Sequence, residues 1–148
     1  MKVLLHSEEA LTLGAFDSPG LEVEAAPGAH AHYSAFQMFT VGIGLCTASV
    51  LSAYGAQIGV PTDQLTVRIA WTLGEKPRRI GTLDMQINWP GLPDSRLRAA
   101  ELAAAQCPLH RTLELPPKLS TSITNDAPVP EFESGGHHHD HHGSAHES

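Results

Sequence analysis

Cys46 and Cys107 are the residues of this chain best suited to chemistry, and they are its only cysteines. Each falls on the apolar stripe of a predicted helix, and Pro108 follows the second at once. Two thiols on rigid elements, with no third to compete, fit a transient catalytic pair. They also fit two small buried hydrophobes, which composition by itself favours. An ordinary thiol titrates near about 8.5, so only a few per cent is thiolate at neutral pH and local charge decides reactivity. At a helix start Cys107 would gain from the N-terminal dipole, and His110 and Arg111, one turn on, could add positive potential.

Other groupings are weaker. His30-Ala31-His32 puts two imidazoles on one face of an extended segment, which is half a metal site, and a solvated loop is the simpler account. Gly42 and Gly44 lie in a predicted helix and lack the third glycine of a dinucleotide loop. Beyond Gly136 the chain concentrates six of its ten histidines, including His137, His138, His139, His141 and His142. Neutral imidazoles on such a tract can wrap nickel, zinc or copper without a formed pocket. The interrupting Asp140 and the trailing His146 favour a native tail over a purification tag. Without apolar residues it is expected to be flexible.

The 148 residues, 41% hydrophobic, suffice for one domain with a core. A net charge of -7 with nine scattered Lys and Arg argues against nucleic acid, which calls for clustered cations. Glu8 and Glu9 arrive too early for a signal peptide, and no run is expected to approach the ~18 apolar residues of a membrane span. The expectation is a cytoplasmic protein that binds no membrane, and in that reducing compartment a disulfide would be transient.

The elements that must position the thiols follow from periodicity. Short strands are expected at Val3 to His6, Leu11 to Phe16 and Leu21 to Ala25, as an antiparallel opening. From Ser34 to about Gln57, Phe36, Phe39, Ile43, Cys46, Val50 and Ala53 recur at helical spacing, and Gly42 and Gly44 inside that helix imply a closely packed second helix. Leu65 to Leu73 alternates with Leu65, Val67, Ile69 and Trp71 inward. A charged loop, Gly74 to Arg79, leads back through Leu83, Met85, Ile87 and Trp89. Asp94 or Ser95 can cap a helix to Gln106 with Leu97, Ala100, Ala104 and Cys107 on one face, and Cys107 caps a short helix through Leu113. A last strand is expected at Leu119 to Thr124. The order is α+β, with a domain over residues 1–125 and a His-rich tail over 126–148.

Gly42-Ile43-Gly44-Leu45-Cys46-Thr47-Ala48, followed by Ala105-Gln106-Cys107-Pro108-Leu109-His110-Arg111-Thr112-Leu113, resembles the OsmC/Ohr family, the osmotically inducible and organic hydroperoxide resistance proteins. The resemblance covers about residues 34–124. It implies an OsmC-like fold, with antiparallel sheets packed on two central helices, in an intertwined homodimer with the active site at the subunit interface. It further implies that Cys46 attacks an organic hydroperoxide and that Cys107 resolves the resulting sulfenic acid to a disulfide, which an external dithiol then reduces; no cofactor is implied. Phe36, Met38 and Phe39 could line an apolar substrate pocket. Peroxidases of the family usually carry an arginine in the N-terminal sheet and a glutamate about three helical turns before the first cysteine. This chain has no arginine before Arg68, and Phe36 stands at the glutamate's place, so Arg111, or His30 or His32, is the candidate substitute. The alternative is a member without efficient peroxidase activity that binds ligands or exchanges thiols, with a metal-binding tail.

Overall fold

Alternating apolar residues build one five-stranded sheet, ordered β3-β1-β2-β4-β5, from Lys2–Ser7 (β1), Ala10–Gly14 (β2), Glu22–Ala25 (β3), Thr66–Glu75 (β4) and Arg78–Asn88 (β5). The computed structural model of the chain describes residues 1–125. Met1–Pro117 forms one compact unit and Lys118–Ser148 a second, of which residues 118–125 have neither helix nor strand.

The sheet is mixed. β1 pairs β2 antiparallel, β2 pairs β4 and β4 pairs β5 likewise, but β1 pairs β3 in parallel register, Lys2 opposite Glu22. The all-antiparallel pairing expected from the sequence is corrected at the β1–β3 edge: parallel and antiparallel strands show the same alternation of side chains, so the pattern could not separate them. Val3, Leu5, Leu11, Leu13, Val67, Ile69 and Trp71 face inward and are buried. The strand expected at Leu119–Thr124 does not form. Pro116 and Pro117 precede it, removing two backbone donors where a ladder would begin.

One long helix, Ala35–Ile58 (α1), crosses the sheet's inner face over about 36 Å. Gln37 locks its start: its Oε1 accepts from the Ser34 N–H at 3.1 Å, and its Nε2 donates to the Glu8 carbonyl at 2.9 Å. Gly59, with φ 70°, ends it in the left-handed conformation that glycine adopts freely. The buried stripe is Gln37, Thr40, Val41, Ile43, Gly44, Thr47, Ala48, Leu51 and Gly55, which shares only Ile43 with the stripe expected from spacing. Because α1 is apolar all round, spacing alone could not choose its face; close packing chose the small residues. A Cβ on Gly44 would lie 2.8 Å from Ile69 Cδ1 and overlap Leu13, so the surface that needs Gly44 is the sheet and not the second helix expected.

α1 carries no charged residue and is long and apolar enough, by length and composition, to cross a membrane, contrary to the expectation that no run approaches that length. One such helix is weak evidence for a span, and here its stripe packs the core of the sheet. Two shorter helices follow a single 3₁₀ turn at Asp94–Arg96: Leu97–Ala104 (α2) and Pro108–Glu114 (α3).

Candidate active site

Cys46 and Cys107 meet where α3 begins against α1. Cys46 stands two residues from both Gly44 and Ala48, which puts it on the side of α1 turned away from the sheet, where it is partly exposed. Gly42, one turn earlier on that side, leaves room for Leu109 of α3, whose Cδ1 would stand 3.9 Å from a Cβ there. Cys107 is the N-cap of α3 and Pro108 its first residue, where a missing N–H costs nothing. The Arg111 N–H donates to the Cys107 carbonyl at 3.0 Å, closing the first helical turn. Cys107 is fully buried, and both cysteines are free thiols.

The two thiols lie close enough to shift each other's ionisation. Burial pushes the Cys46 thiol up, and its hydrogen bond to Cys107 pushes it further; the Leu109 backbone N–H offsets only part of this. Burial also acts to raise Cys107. Hydrogen bonds from the Cys46 S–H and from the backbone N–H groups of His110 and Leu109 outweigh it and hold this thiol below the ordinary range. The Thr47 hydroxyl is buried and makes no well-formed hydrogen bond, yet it lies near enough to Cys107 to favour the thiolate as well. The two thiols therefore ionise as a coupled pair and not independently.

Two largely apolar cavities are formed by α1, β5 and α3. The first, about 460 Å³, lies between β5, α1 and α3 and is lined by Ile43, Met85 and Ile87 together with Thr47 and His110, both neighbours of Cys107. The second, about 600 Å³, is lined by Phe36, Phe39, Ile80 and Arg79, and the two share Leu83 and Leu113 as walls. Neither cysteine lines either cavity. Of the three residues expected to form a substrate pocket, Phe36 and Phe39 do line the second cavity, whereas Met38, 60% exposed, lines neither.

Arg111 is turned toward Glu114, its Nη1 2.5 Å from Oε2, and is not among the groups that move either thiol. His110 Nε2 lies 3.5 Å from the other oxygen of the same carboxylate. His32 pairs with Glu8 at 3.0 Å, away from the thiols, and no cluster of three or more metal-ligating side chains occurs among the described residues. His137, His138, His139, His141 and His142 lie outside the described residues. Sequence reasoning missed Thr47 and Arg79. Thr47 could have been flagged as a polar side chain adjacent to Cys46 on a largely apolar helix; Arg79 gave no signal in a charged hairpin.

Comparison with curated proteins and with solved structures returned no match. The model of the family of OsmC-like proteins matches residues 28–122, a span that contains α1, both cysteines and all of α3. With an α+β fold and a thiol pair inside that span, the chain belongs to the OsmC-like family.

Proposed function

We propose that this chain is a cysteine-based peroxidase that reduces organic hydroperoxides, with Cys46 attacking and Cys107 resolving. The observation that carries the reading is the contact between a partly exposed thiol and a fully buried one held at a lowered value. An oxidant arriving from solvent meets Cys46 first. Its thiolate attacks the terminal oxygen of the hydroperoxide: an S–O bond forms, the O–O bond breaks, and the alcohol leaves. Cys107 then displaces water from the sulfenic acid as the S–S bond forms, and an external dithiol returns both thiols at the expense of its own oxidation. The apolar walls of the neighbouring cavities suit alkyl or lipid chains better than hydrogen peroxide. The reading places the protein in the cytoplasm as a homodimer, where dithiol reductants are available.

A second reading, ligand binding or thiol exchange without fast turnover, draws support from one observation: neither thiol lines a cavity. Turnover separates the two. With dithiothreitol as reductant, the protein is expected to consume cumene hydroperoxide catalytically and Cys46→Ser to lose all turnover; a wild-type chain that binds but does not consume the peroxide supports the second reading.

A further inference from the structure

The second cavity is not claimed by the thiol chemistry, since neither cysteine lines it. Its volume of about 600 Å³ falls within the range of small-molecule sites, and its apolar walls are Phe36 and Phe39 of α1, Ile80 and Leu83 of β5 and Leu113 of α3. Phe39 and Leu113 are 44% and 49% exposed, so an apolar chain laid on them removes wet hydrocarbon surface from water.

Arg79 is the charged residue of that lining. Its Nη1 donates to the Ile80 carbonyl at 3.3 Å, and it makes no ion pair with a carboxylate among the described residues, whereas Lys2, Arg98 and Arg111 are each paired with a glutamate. Most of its five donors are therefore open to a ligand. Lys76 and Arg78 stand in the same hairpin, so three of the nine Lys and Arg fall within four residues of a chain whose net charge is -7. The acid nearest in the ladder is Glu75, opposite Arg78, and it forms no ion pair among the described residues. Ala35 and Phe36, the first two residues of α1, line the same cavity, and the first turn of α1 carries no acidic residue to offset the helix dipole. The first cavity differs in charge: Glu101 and Glu114 line it, and Arg98 and Arg111 are spent on those two carboxylates. Of the two neighbouring cavities, the one at Arg79 is the one that suits an anion.

We propose that the second cavity binds an amphiphile with a carboxylate head, the head on the Arg79 guanidinium and an unbranched apolar tail along Phe36, Phe39 and Leu113. A guanidinium can hold a carboxylate through two parallel N–H donors, which fixes the head and leaves the tail to the apolar walls. This goes beyond the peroxidase reading: the ligand needs no peroxide group, and the site stands whether or not the thiols turn over.

Calorimetric titration of the reduced full chain with decanoate tests the site, with decanol as the uncharged probe and Arg79→Gln and Phe39→Ser as variants at exposed positions. Wild type is expected to bind decanoate about tenfold more tightly than decanol. Arg79→Gln should weaken decanoate about tenfold, the scale of one charge-assisted hydrogen bond, and leave decanol unchanged. Phe39→Ser should weaken both probes, and added salt should weaken decanoate alone. Decanoate held equally by wild type and Arg79→Gln, or acid and alcohol held equally, overturns the assignment. Binding to anionic phospholipid vesicles without binding of free decanoate also overturns it and makes a lipid surface the partner. A chain that binds neither probe, and whose dimer falls to a monomer in Phe39→Glu, overturns it in favour of a second copy as occupant. Failure to bind decanoate leaves the peroxidase reading intact, and failure to consume cumene hydroperoxide leaves this site intact.

Discussion

Thr47 and Arg111 make opposite predictions about the thiol pair. Thr47 brings a buried hydroxyl to Cys107, so Thr47→Val, which keeps the volume and removes the donor, should raise the Cys107 value toward the ordinary thiol range; thiolate absorbance followed through a pH titration reads the shift. Arg111→Ala should leave that titration in place, because the guanidinium is spent on Glu114 in a half-exposed pair. The same lowered value links pH to stability. The folded chain binds fewer protons at Cys107 than the unfolded chain does, so this residue stabilises the fold above the ordinary thiol value, and the contribution is lost as pH falls through its folded value. Urea denaturation of wild type and Cys107→Ser, compared between neutral pH and the ordinary thiol value, should show the wild type gaining relative to the variant as pH rises; above that value the raised Cys46 thiol acts in the opposite sense.

Two glycines two residues apart, on opposite sides of α1, should respond with opposite signs to the same substitution. Gly44→Ala drives a methyl into Leu13 and Ile69 and is expected to cost about 1 kcal/mol or more, whereas Gly42→Ala faces only Leu109 at 3.9 Å and should stabilise by about 0.5–1 kcal/mol through helix propensity. Chemical denaturation measures both. These positions also mark how far the elements were legible. β4 could be read directly, with Val67, Ile69 and Trp71 buried as their alternation requires and Leu65 buried just before it, and Pro108 announced the cap at Cys107. The face of α1 could not be read, since an all-round apolar helix has no polar side to exclude. The parallel β1–β3 pairing was hidden by the two-residue period common to both strand orientations. At the site, the two cysteines and their helices were legible, but the Cys107 environment was not: it depends on backbone amides, which carry no residue signature, and on Thr47, which reaches Cys107 only because α3 folds back on α1.

The molecule as a whole leaves apolar surface in view. Met38, Phe39 and Leu45 of α1 are 60%, 44% and 40% exposed, and Leu83, Met85 and Ile87 of β5 line an open cavity in place of a covered core. Surface of this kind commonly marks an interface. A homodimer built on it should sediment at twice the chain mass, and Leu45→Glu should shift it to the monomer. At every scale the chemistry depends on the meeting of two sulfurs that lie far apart in the chain. Its most direct test is to add one equivalent of cumene hydroperoxide to the reduced protein and then count free thiols and locate any disulfide by non-reducing peptide mapping. Loss of both thiols, recovered as a Cys46–Cys107 bridge within one chain, is the predicted result; two thiols surviving, or cross-linked chains with no internal bridge, would contradict it.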